Sequence, residues 1–333
     1  MFSLVQHKKN FSIWVFLAVC LDKIIFIIVP RFFPFWWTLS FHLIPYSEKI
    51  FTLISPPLFE ACVVTLSVIL YCPRRKHLDT NIYLFIAICI FSIALTLIIG
   101  KEVDSKNEIF KIGFSQQSFS SKDYHYSDNY PNFSLQIEKT YLDSIDSLEQ
   151  CDIIVLPESI FLEDGEKVFI NLKKKALERR CYIFSGILLK KDDNLYNCAV
   201  LFPPNEDKEI SVYKKRNLVP FVETKNMCSG DKISTMDFNV LKINPMICFD
   251  SIYPKSYCPN ADINLSISNG VFAEGSCLGF IHRAYGTFYS RTMARPLLQI
   301  TQNGSSFYID SKGKVHTLAD FYEKKIDVFQ IEL

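Results

Sequence analysis

The chain has two parts with different hydrophobic patterns. The first part contains apolar stretches long enough to cross a bilayer, which requires roughly 20 residues; they lie at residues 11–29, 50–71 and 82–100. The third stretch carries no charge, whereas Asp22 and Lys23 interrupt the first. The pattern therefore predicts an N-terminal α-helical membrane domain over residues 1–104, with three transmembrane helices, or four if the aromatic segment 31–45 also spans.

Basic residues in this first part predict its orientation. Residues 73–77, with the sequence Pro-Arg-Arg-Lys-His, form a short loop between the second and third apolar stretches. The positive-inside rule places such a loop in the cytoplasm, and Lys8 and Lys9 agree with a three-span count. The third span then runs outward. We therefore expect a multi-pass protein of a bacterial inner membrane, with residues 105–333 in the periplasm.

Residues 105–333 alternate short apolar runs with charged, helix-like stretches. The apolar runs predict β-strands at residues 109–114, 152–156, 182–189, 196–202, 210–214, 240–248, 263–268 and 297–301. Charged or amphipathic stretches predict helices over residues 165–180 and 282–293, and a helix end over residues 141–150. Strands that alternate with helices are typical of an α/β domain.

Composition excludes some partners and cofactors. The formal net charge is +1, so the charge balance gives no indication of nucleic acid as a partner. The 11 Cys include no Cys-x-x-Cys pair and no Cys/His spacing of a zinc site, so we expect no metal. A hydrophobic fraction of 49% with 29 Phe fits a chain that is partly in a membrane.

Three residues beside apolar runs could together perform thiol chemistry. Cys248 ends the run 243–247, Glu158 follows the strand predicted at residues 152–156, and Lys215 follows the strand predicted at residues 210–214. A free thiol with a pKa of about 8.5 needs help to become the nucleophilic thiolate. A lysine can stabilise negative charge, and a carboxylate can accept the thiol proton. Taken singly, each is more often a packed cysteine, a solvated lysine or a helix-start acid.

Five sequence motifs surround these residues. They are Val-Leu-Pro-Glu at residues 155–158, Tyr-Asn-Cys-Ala at 196–199, the Tyr-x-Lys-x-x-Leu-Val-Pro-Phe-x-Glu pattern at 213–223, Ile-Cys-Phe-Asp at 247–250, and Ala-Arg-Pro-Leu at 294–297 followed by Asn-Gly at 303–304. In this order they resemble the motifs of the nitrilase (carbon–nitrogen hydrolase) superfamily, and most of all its apolipoprotein N-acyltransferase branch. The resemblance covers roughly residues 105–325. His282 falls where that branch carries a histidine.

The resemblance implies a four-layer α-β-β-α sandwich over residues 105–333. It implies a Glu158–Lys215–Cys248 triad that works through a thioester acyl-enzyme, with no metal or organic cofactor. Glu223 is then the supporting second glutamate, and Asp250, Asn197 and His282 are further supporting residues. The branch also implies an acyl donor such as a phospholipid and an amine acceptor such as a lipoprotein N-terminus.

Some positions depart from the branch and leave alternatives open. Asp250 stands where the acyltransferases usually have Glu, and Val222 replaces a usual Gly. The segment between Glu223 and Cys248, residues 224–247, is shorter than in the apolipoprotein N-acyltransferases. The predicted membrane domain is also smaller than theirs. A membrane-tethered amidase with water as acceptor, and a nitrilase-like conjugal-transfer component with little or no catalysis, therefore stay as alternatives. Donor, acceptor and oligomeric state are left open by the sequence.

Overall fold

The computed structural model describes residues 108–124, 131–161, 165–220, 222–231, 234–258, 260–273 and 278–333. The predicted membrane domain over residues 1–104 lies outside these residues, and it stays a prediction. Within the described ranges, no helix combines the length and apolar character needed to cross a bilayer.

The first of two six-stranded sheets contains both ends of the described chain. Its spatial order is β12-β1-β2-β3-β4-β5. The strands are β1 (Ile109–Gln116), β2 (Ile153–Val155), β3 (Tyr182–Lys191), β4 (Asn194–Phe202), β5 (Ser211–Lys214) and β12 (Lys325–Glu332). β1, β2 and β3 are parallel, whereas β4, β5 and β12 join antiparallel. The parallel centre is largely buried on both faces, so its strands are mostly apolar.

The second sheet has the order β11-β10-β9-β8-β7-β6. Its strands are β6 (Met236–Phe238), β7 (Leu241–Ile247), β8 (Ile263–Ser268), β9 (Leu297–Thr301), β10 (Ser306–Ile309) and β11 (Val315–Ala319). β7, β8 and β9 are parallel, and the remaining pairs are antiparallel. Both sheets thus have a parallel centre with antiparallel edges.

The inner faces of the two sheets pack on each other and form the central core. Phe114, Val155 and Phe184 of the first sheet lie in the same buried cluster as Ile247 and Ile267 of the second. Because side chains alternate along a strand, the neighbouring residues face outward. The central core therefore takes alternate residues of both sheets.

Helices cover the outer faces. α1 (Pro131–Ser147) and α2 (Gly165–Arg179) pack on the first sheet through a second apolar cluster that includes Ile145 and Leu172. α3 (Leu278–Met293) packs on the second sheet through Ile281 and Tyr285. The layers follow the order α-β-β-α, so the predicted four-layer sandwich is confirmed for the described residues.

The predicted strands all appear, with small shifts at their ends. β6, β10, β11 and β12 have no counterpart in the prediction, and α3 begins before residue 282. β6 has three residues, and β11 and β12 are largely exposed edge strands. Short or exposed strands carry a weak hydrophobic signal, because fewer of their side chains enter the core.

Candidate active site

Lys215 lies immediately after β5 and points into the space between the sheets. Tyr213, two residues earlier, belongs to the central core, and alternation along the strand brings Lys215 to the same side. Its backbone N–H donates to the Asn197 carbonyl at 2.8 Å, which extends the pairing with β4. Its side chain is 1% exposed. A buried ammonium requires charged partners, and this one has two.

Glu158 is the first partner. Its Oε1 accepts hydrogen bonds from Lys215 Nζ at 2.9 Å and Asn197 Nδ2 at 2.7 Å. Its Oε2 accepts from the backbone N–H of Asn269 at 2.8 Å, which connects this carboxylate to the end of β8. Both carboxylate oxygens are thus fixed by buried donors, which holds the group in one orientation.

Gly186 of β3 makes room for the segment that carries Glu158. A Cβ at position 186 would lie 2.6 Å from the Glu158 Cα and 2.8 Å from the Pro157 carbonyl oxygen. The Gly186 N–H donates to that carbonyl at 3.2 Å. The backbone contact requires a residue without a side chain, so glycine at this position sets the place of Glu158.

Glu223 is the second partner of Lys215. It begins a short 3-10 helix, and its Oε1 accepts from Lys215 Nζ at 2.8 Å and Asn197 Nδ2 at 3.0 Å. Its Oε2 accepts from the Val219 N–H at 2.7 Å. The Leu-Val-Pro turn therefore folds back on its own glutamate. The Asn197 amide connects the two glutamates on one side, as Lys215 does on the other.

Burial and charge shift the proton affinities of this cluster in different directions. Burial by itself would lower the pKa of Lys215, but Glu158 and Glu223 outweigh it and raise that pKa. Burial raises the pKa of Glu158 above its usual range, and Lys215 only partly opposes it. Burial also opposes ionisation of Glu223, yet Lys215 and the Val219 N–H lower its pKa overall. Glu158 is thus the better proton acceptor of the two.

Cys248 follows β7 in a backbone conformation that is rare for a residue with a side chain. Its φ is 47°, in the left-handed region, at the start of the 3-10 helix Cys248–Ile252. Such strain persists only where the surrounding structure holds it, and it is common at functional sites. The Ser251 hydroxyl donates to the Cys248 carbonyl at 2.9 Å and helps to hold the turn.

The thiol of Cys248 is buried and interacts with the charged cluster. Burial, reinforced by the Glu158 and Glu223 carboxylates, raises its pKa to about 12, against the opposing effects of Lys215 and of a hydrogen bond with Ser268. The resting group is therefore a neutral thiol, which must lose its proton to a base before it can attack.

Asp250 connects the turn of Cys248 to the segment that carries Lys215. Its Oδ1 accepts from the Asn217 N–H at 3.0 Å and Asn217 Nδ2 at 2.7 Å. Its Oδ2 accepts from the Tyr213 hydroxyl at 2.8 Å and the Ile247 N–H at 3.1 Å. Asp250 therefore contacts both sides of the site without touching Lys215 Nζ through a hydrogen bond.

His282 occupies a different layer from the carboxylate cluster. It is buried on α3, and its Nδ1 lies 3.2 Å from Nε2 of Gln299 on β9. Burial, with a smaller contribution from Lys215, lowers the His282 pKa to about 3, so the ring is neutral.

The structure brings Glu158, Lys215, Glu223 and Asn197 into one hydrogen-bonded cluster, with Cys248 within electrostatic reach. Residues absent from the predicted site also contribute: Gly186, Asn217, Ser268 and Asn269. A glycine inside an apolar strand was the available signal for Gly186. Asn269 acts through its backbone N–H, which no side-chain motif could reveal.

Such a cluster can transfer a proton, form a covalent bond through sulfur and stabilise negative charge beside Lys215. No group of His, Cys, Asp and Glu within the described ranges is arranged to hold a metal ion.

Residues 134–333 match the profile of the family described as carbon–nitrogen hydrolase. Apolipoprotein N-acyltransferase 1 of Treponema denticola is 25% identical over 162 residues, covering 41% of this chain and 30% of that protein. The apolipoprotein N-acyltransferase of Haemophilus influenzae is 25% identical over 205 residues, covering 51% of this chain and 39% of that protein. A hydrolase of Schizosaccharomyces pombe is 30% identical over 103 residues, covering 28% and 32%. The chain thus matches well under half of these relatives' length.

Solved structures share the fold at low sequence identity. A CN-hydrolase superfamily protein from Xanthomonas campestris aligns with a TM-score of 0.55 and 16% identity, covering 68% of this chain and 91% of that one. An amidase from Nesterenkonia sp. aligns with a TM-score of 0.52 and 13% identity, covering 69% and 92%. These similarities establish the two-sheet architecture.

Proposed function

The chain belongs to the carbon–nitrogen hydrolase family, and we propose that it is a cysteine-dependent acyltransferase that works through a thioester on Cys248. The observation that carries the proposal is the buried Lys215 held between Glu158 and Glu223, within electrostatic reach of a strained strand-end cysteine. Glu158 serves as base, Lys215 as electrostatic stabiliser and Cys248 as nucleophile.

In the first half-reaction, Glu158 takes the thiol proton as the Cys248 sulfur attacks the carbonyl carbon of the acyl donor. The carbonyl oxygen gains negative charge, which the Lys215 ammonium stabilises. Collapse of this intermediate breaks the bond to the leaving group, and Glu158 returns the proton to it. The product is a thioester on Cys248 with Glu158 again ionised.

In the second half-reaction, Glu158 removes a proton from the incoming nucleophile, which attacks the thioester carbonyl. Collapse releases the acylated product, and the proton returns to the Cys248 sulfur. The raised pKa of Glu158 supports this role, because a base that holds its proton more tightly is a stronger acceptor. The neutral resting thiol fits the same scheme.

The curated relatives named apolipoprotein N-acyltransferase favour a phospholipid as acyl donor and the N-terminal amine of a lipoprotein as acceptor. The apolar stretches of residues 1–104 would anchor the catalytic domain beside both substrates, in the bacterial inner membrane with the site on the periplasmic side.

The test is to detect an acyl group on Cys248. The full chain is incubated with phospholipid vesicles, and intact mass and peptide mapping follow the adduct. We expect a mass increase of one acyl chain at Cys248, removed by neutral hydroxylamine as a thioester is. Cys248→Ala should abolish it, whereas the control Cys258→Ala, at a half-buried cysteine, should retain it. No adduct in the unaltered protein would reject the proposal.

A second candidate is hydrolysis of an amide, with water as the acceptor. Two observations favour it: the similarity to the hydrolase of Schizosaccharomyces pombe, and the short connection from Glu223 to Cys248, which contains one 3-10 turn and two strands. Partition of a preformed thioester between water and an added amine distinguishes the candidates. Amine capture supports the transferase, and release of the free acid at unchanged rate supports the hydrolase.

A further inference from the structure

Two cysteines outside the candidate active site lie together at the beginning of neighbouring strands. Cys151 lies two residues before β2, and Cys181 lies one residue before β3. These strands are parallel neighbours with Ile153 opposite Tyr182. The Tyr182 N–H donates to the Asp152 carbonyl at 3.0 Å, so the pairing extends beyond the strand ends and places Cys181 level with Asp152, next to Cys151.

The positions suit a covalent bond between the two sulfurs. Neighbouring strands lie about 4.8 Å apart and successive residues rise about 3.3 Å, so a pair offset by one residue lies about 6 Å apart, within the range of about 4.4–6.8 Å for Cα atoms joined by a disulfide. Both side chains belong to the buried cluster beneath α1 and α2. The thiols hydrogen-bond each other, which lowers the pKa of Cys151 and raises that of Cys181. Cys151 therefore ionises first.

A surface cavity extends to one of the two cysteines. The cavity measures about 480 Å³, and Cys151 lines it together with Lys111, Asp152 and Arg180. Cys151 is 4% exposed and Cys181 is 1% exposed. Only a small reagent can reach Cys151 by this route, while Cys181 is reached through Cys151.

We propose that Cys151 and Cys181 form a reversible dithiol–disulfide site, oxidised by a small peroxide and placed to cross-link β2 to β3. The Cys151 thiolate attacks one peroxide oxygen, the O–O bond breaks, and the departing hydroxide takes up the thiol's proton to form water. The Cys181 sulfur then attacks the Cys151 sulfenic acid, the S–O bond breaks, and the hydroxyl leaves with the Cys181 proton as a second water. With hydrogen peroxide as the oxidant, two thiols lose two electrons and the peroxide is reduced to two waters.

The cross-link would close the segment that carries α2 and Glu158, because both lie between the two cysteines. Closing a loop of about 30 residues restricts the unfolded chain and stabilises the folded one. The inference does not rest on the proposed function, since it requires no activity at Cys248.

The experiment uses the full chain treated with hydrogen peroxide and then with an alkylating reagent. Before alkylation, we expect the intact mass to fall by two hydrogen atoms. After alkylation, we expect the peptides of Cys151 and Cys181 to be joined to each other. We expect the melting temperature to rise by roughly 5–10 °C and return after dithiothreitol. Cys151→Ser and Cys181→Ser should each remove both changes.

Cys198→Ser is the matched control. Cys198 is buried in the same cluster, but the residue opposite it on β3 is not a cysteine. It should keep the cross-link and the temperature shift. The proposal is overturned if peroxide oxidises the partly exposed Cys228 and Cys258 while Cys151 and Cys181 remain separately alkylated. Persistence of the temperature shift in Cys151→Ser would overturn it as well.

Discussion

The hydroxyl of Tyr213 donates a 2.8 Å hydrogen bond to Oδ2 of Asp250. This contact joins β5, which Lys215 follows, to the turn that carries Cys248, across the interface between the two sheets. Asp250 also accepts two hydrogen bonds from Asn217 and one from Ile247. The acid at position 250 thus fixes the relative position of the proposed nucleophile and its stabilising lysine.

Replacing Asp250 by Asn should destabilise the protein by about 2–4 kcal/mol, because an amide NH₂ would face donors that now contact a carboxylate. Tyr213→Phe removes one donor and should cost about 1–2 kcal/mol. Denaturant unfolding of both variants and the double variant measures the coupling. If the two effects simply add, the contact does not join the two segments as described.

Lys215→Met should abolish acyl-adduct formation at Cys248 and lower the free energy of unfolding by about 3–5 kcal/mol, since it leaves Glu158 and Glu223 buried without their counter-charge. Lys214→Met is the matched neighbour. Lys214 Nζ lies 3.6 Å from the centre of the Tyr196 ring, outside the carboxylate cluster. The free energy of unfolding of Lys214→Met should fall by about 1 kcal/mol or less. Equal losses in the two variants would contradict the assigned role.

Glu158→Gln should reduce the rate of Cys248 acylation by about 10²–10⁴-fold, because an amide cannot accept the thiol proton. Glu223→Gln should reduce it less, since Glu223 contacts Lys215 and the Val219 N–H and is the weaker proton acceptor. The amount of acyl adduct on each variant, measured at a series of fixed times, gives the two acylation rates. A larger loss in Glu223→Gln would transfer the base role to that residue.

The acylation rate should fall as the pH is lowered through the pKa of Glu158, which burial raises above the usual 4.5. The sign follows from the role, because a base acts only when deprotonated. No thiolate limb is expected near neutral pH, since the Cys248 pKa is about 12. A rate profile of the unaltered protein beside Glu158→Gln checks this. An acid limb that survives in Glu158→Gln would assign it to another group.

Gly186→Ala should lower both stability and acylation rate, because the added methyl would meet the Glu158 backbone at 2.6 Å. Displacement of a base by about 1 Å can cost about 10²-fold in rate. Gly113→Ala is the control, since its added methyl meets only side-chain atoms, at 3.0 Å or more. That variant should keep most of its activity. Full activity in Gly186→Ala would show that Glu158 tolerates the shift.

Much of the architecture was accessible from hydrophobic patterning. β2, β7 and β8 are buried over most or all of their length, and each has apolar residues at enough positions for its location to follow from the sequence. β12 was missed although Ile326, Val328 and Ile331 lie among its polar residues, because most of its side chains remain partly exposed. The position of an edge strand is set by its backbone pairing, here with β1. Residue types reveal little of that pairing.

The sequence by itself determined which residue types follow which strands, and its resemblance to a known family singled out Glu158, Lys215, Cys248 and Glu223 as a candidate site. Only the tertiary structure decided their relations. Lys215 pairs with both glutamates, Asn197 connects them, and Asp250 fastens the nucleophile turn to Tyr213, whereas His282 lies in another layer. The reason is physical: these contacts join residues far apart in the chain, and the register and stacking of two sheets set their distances.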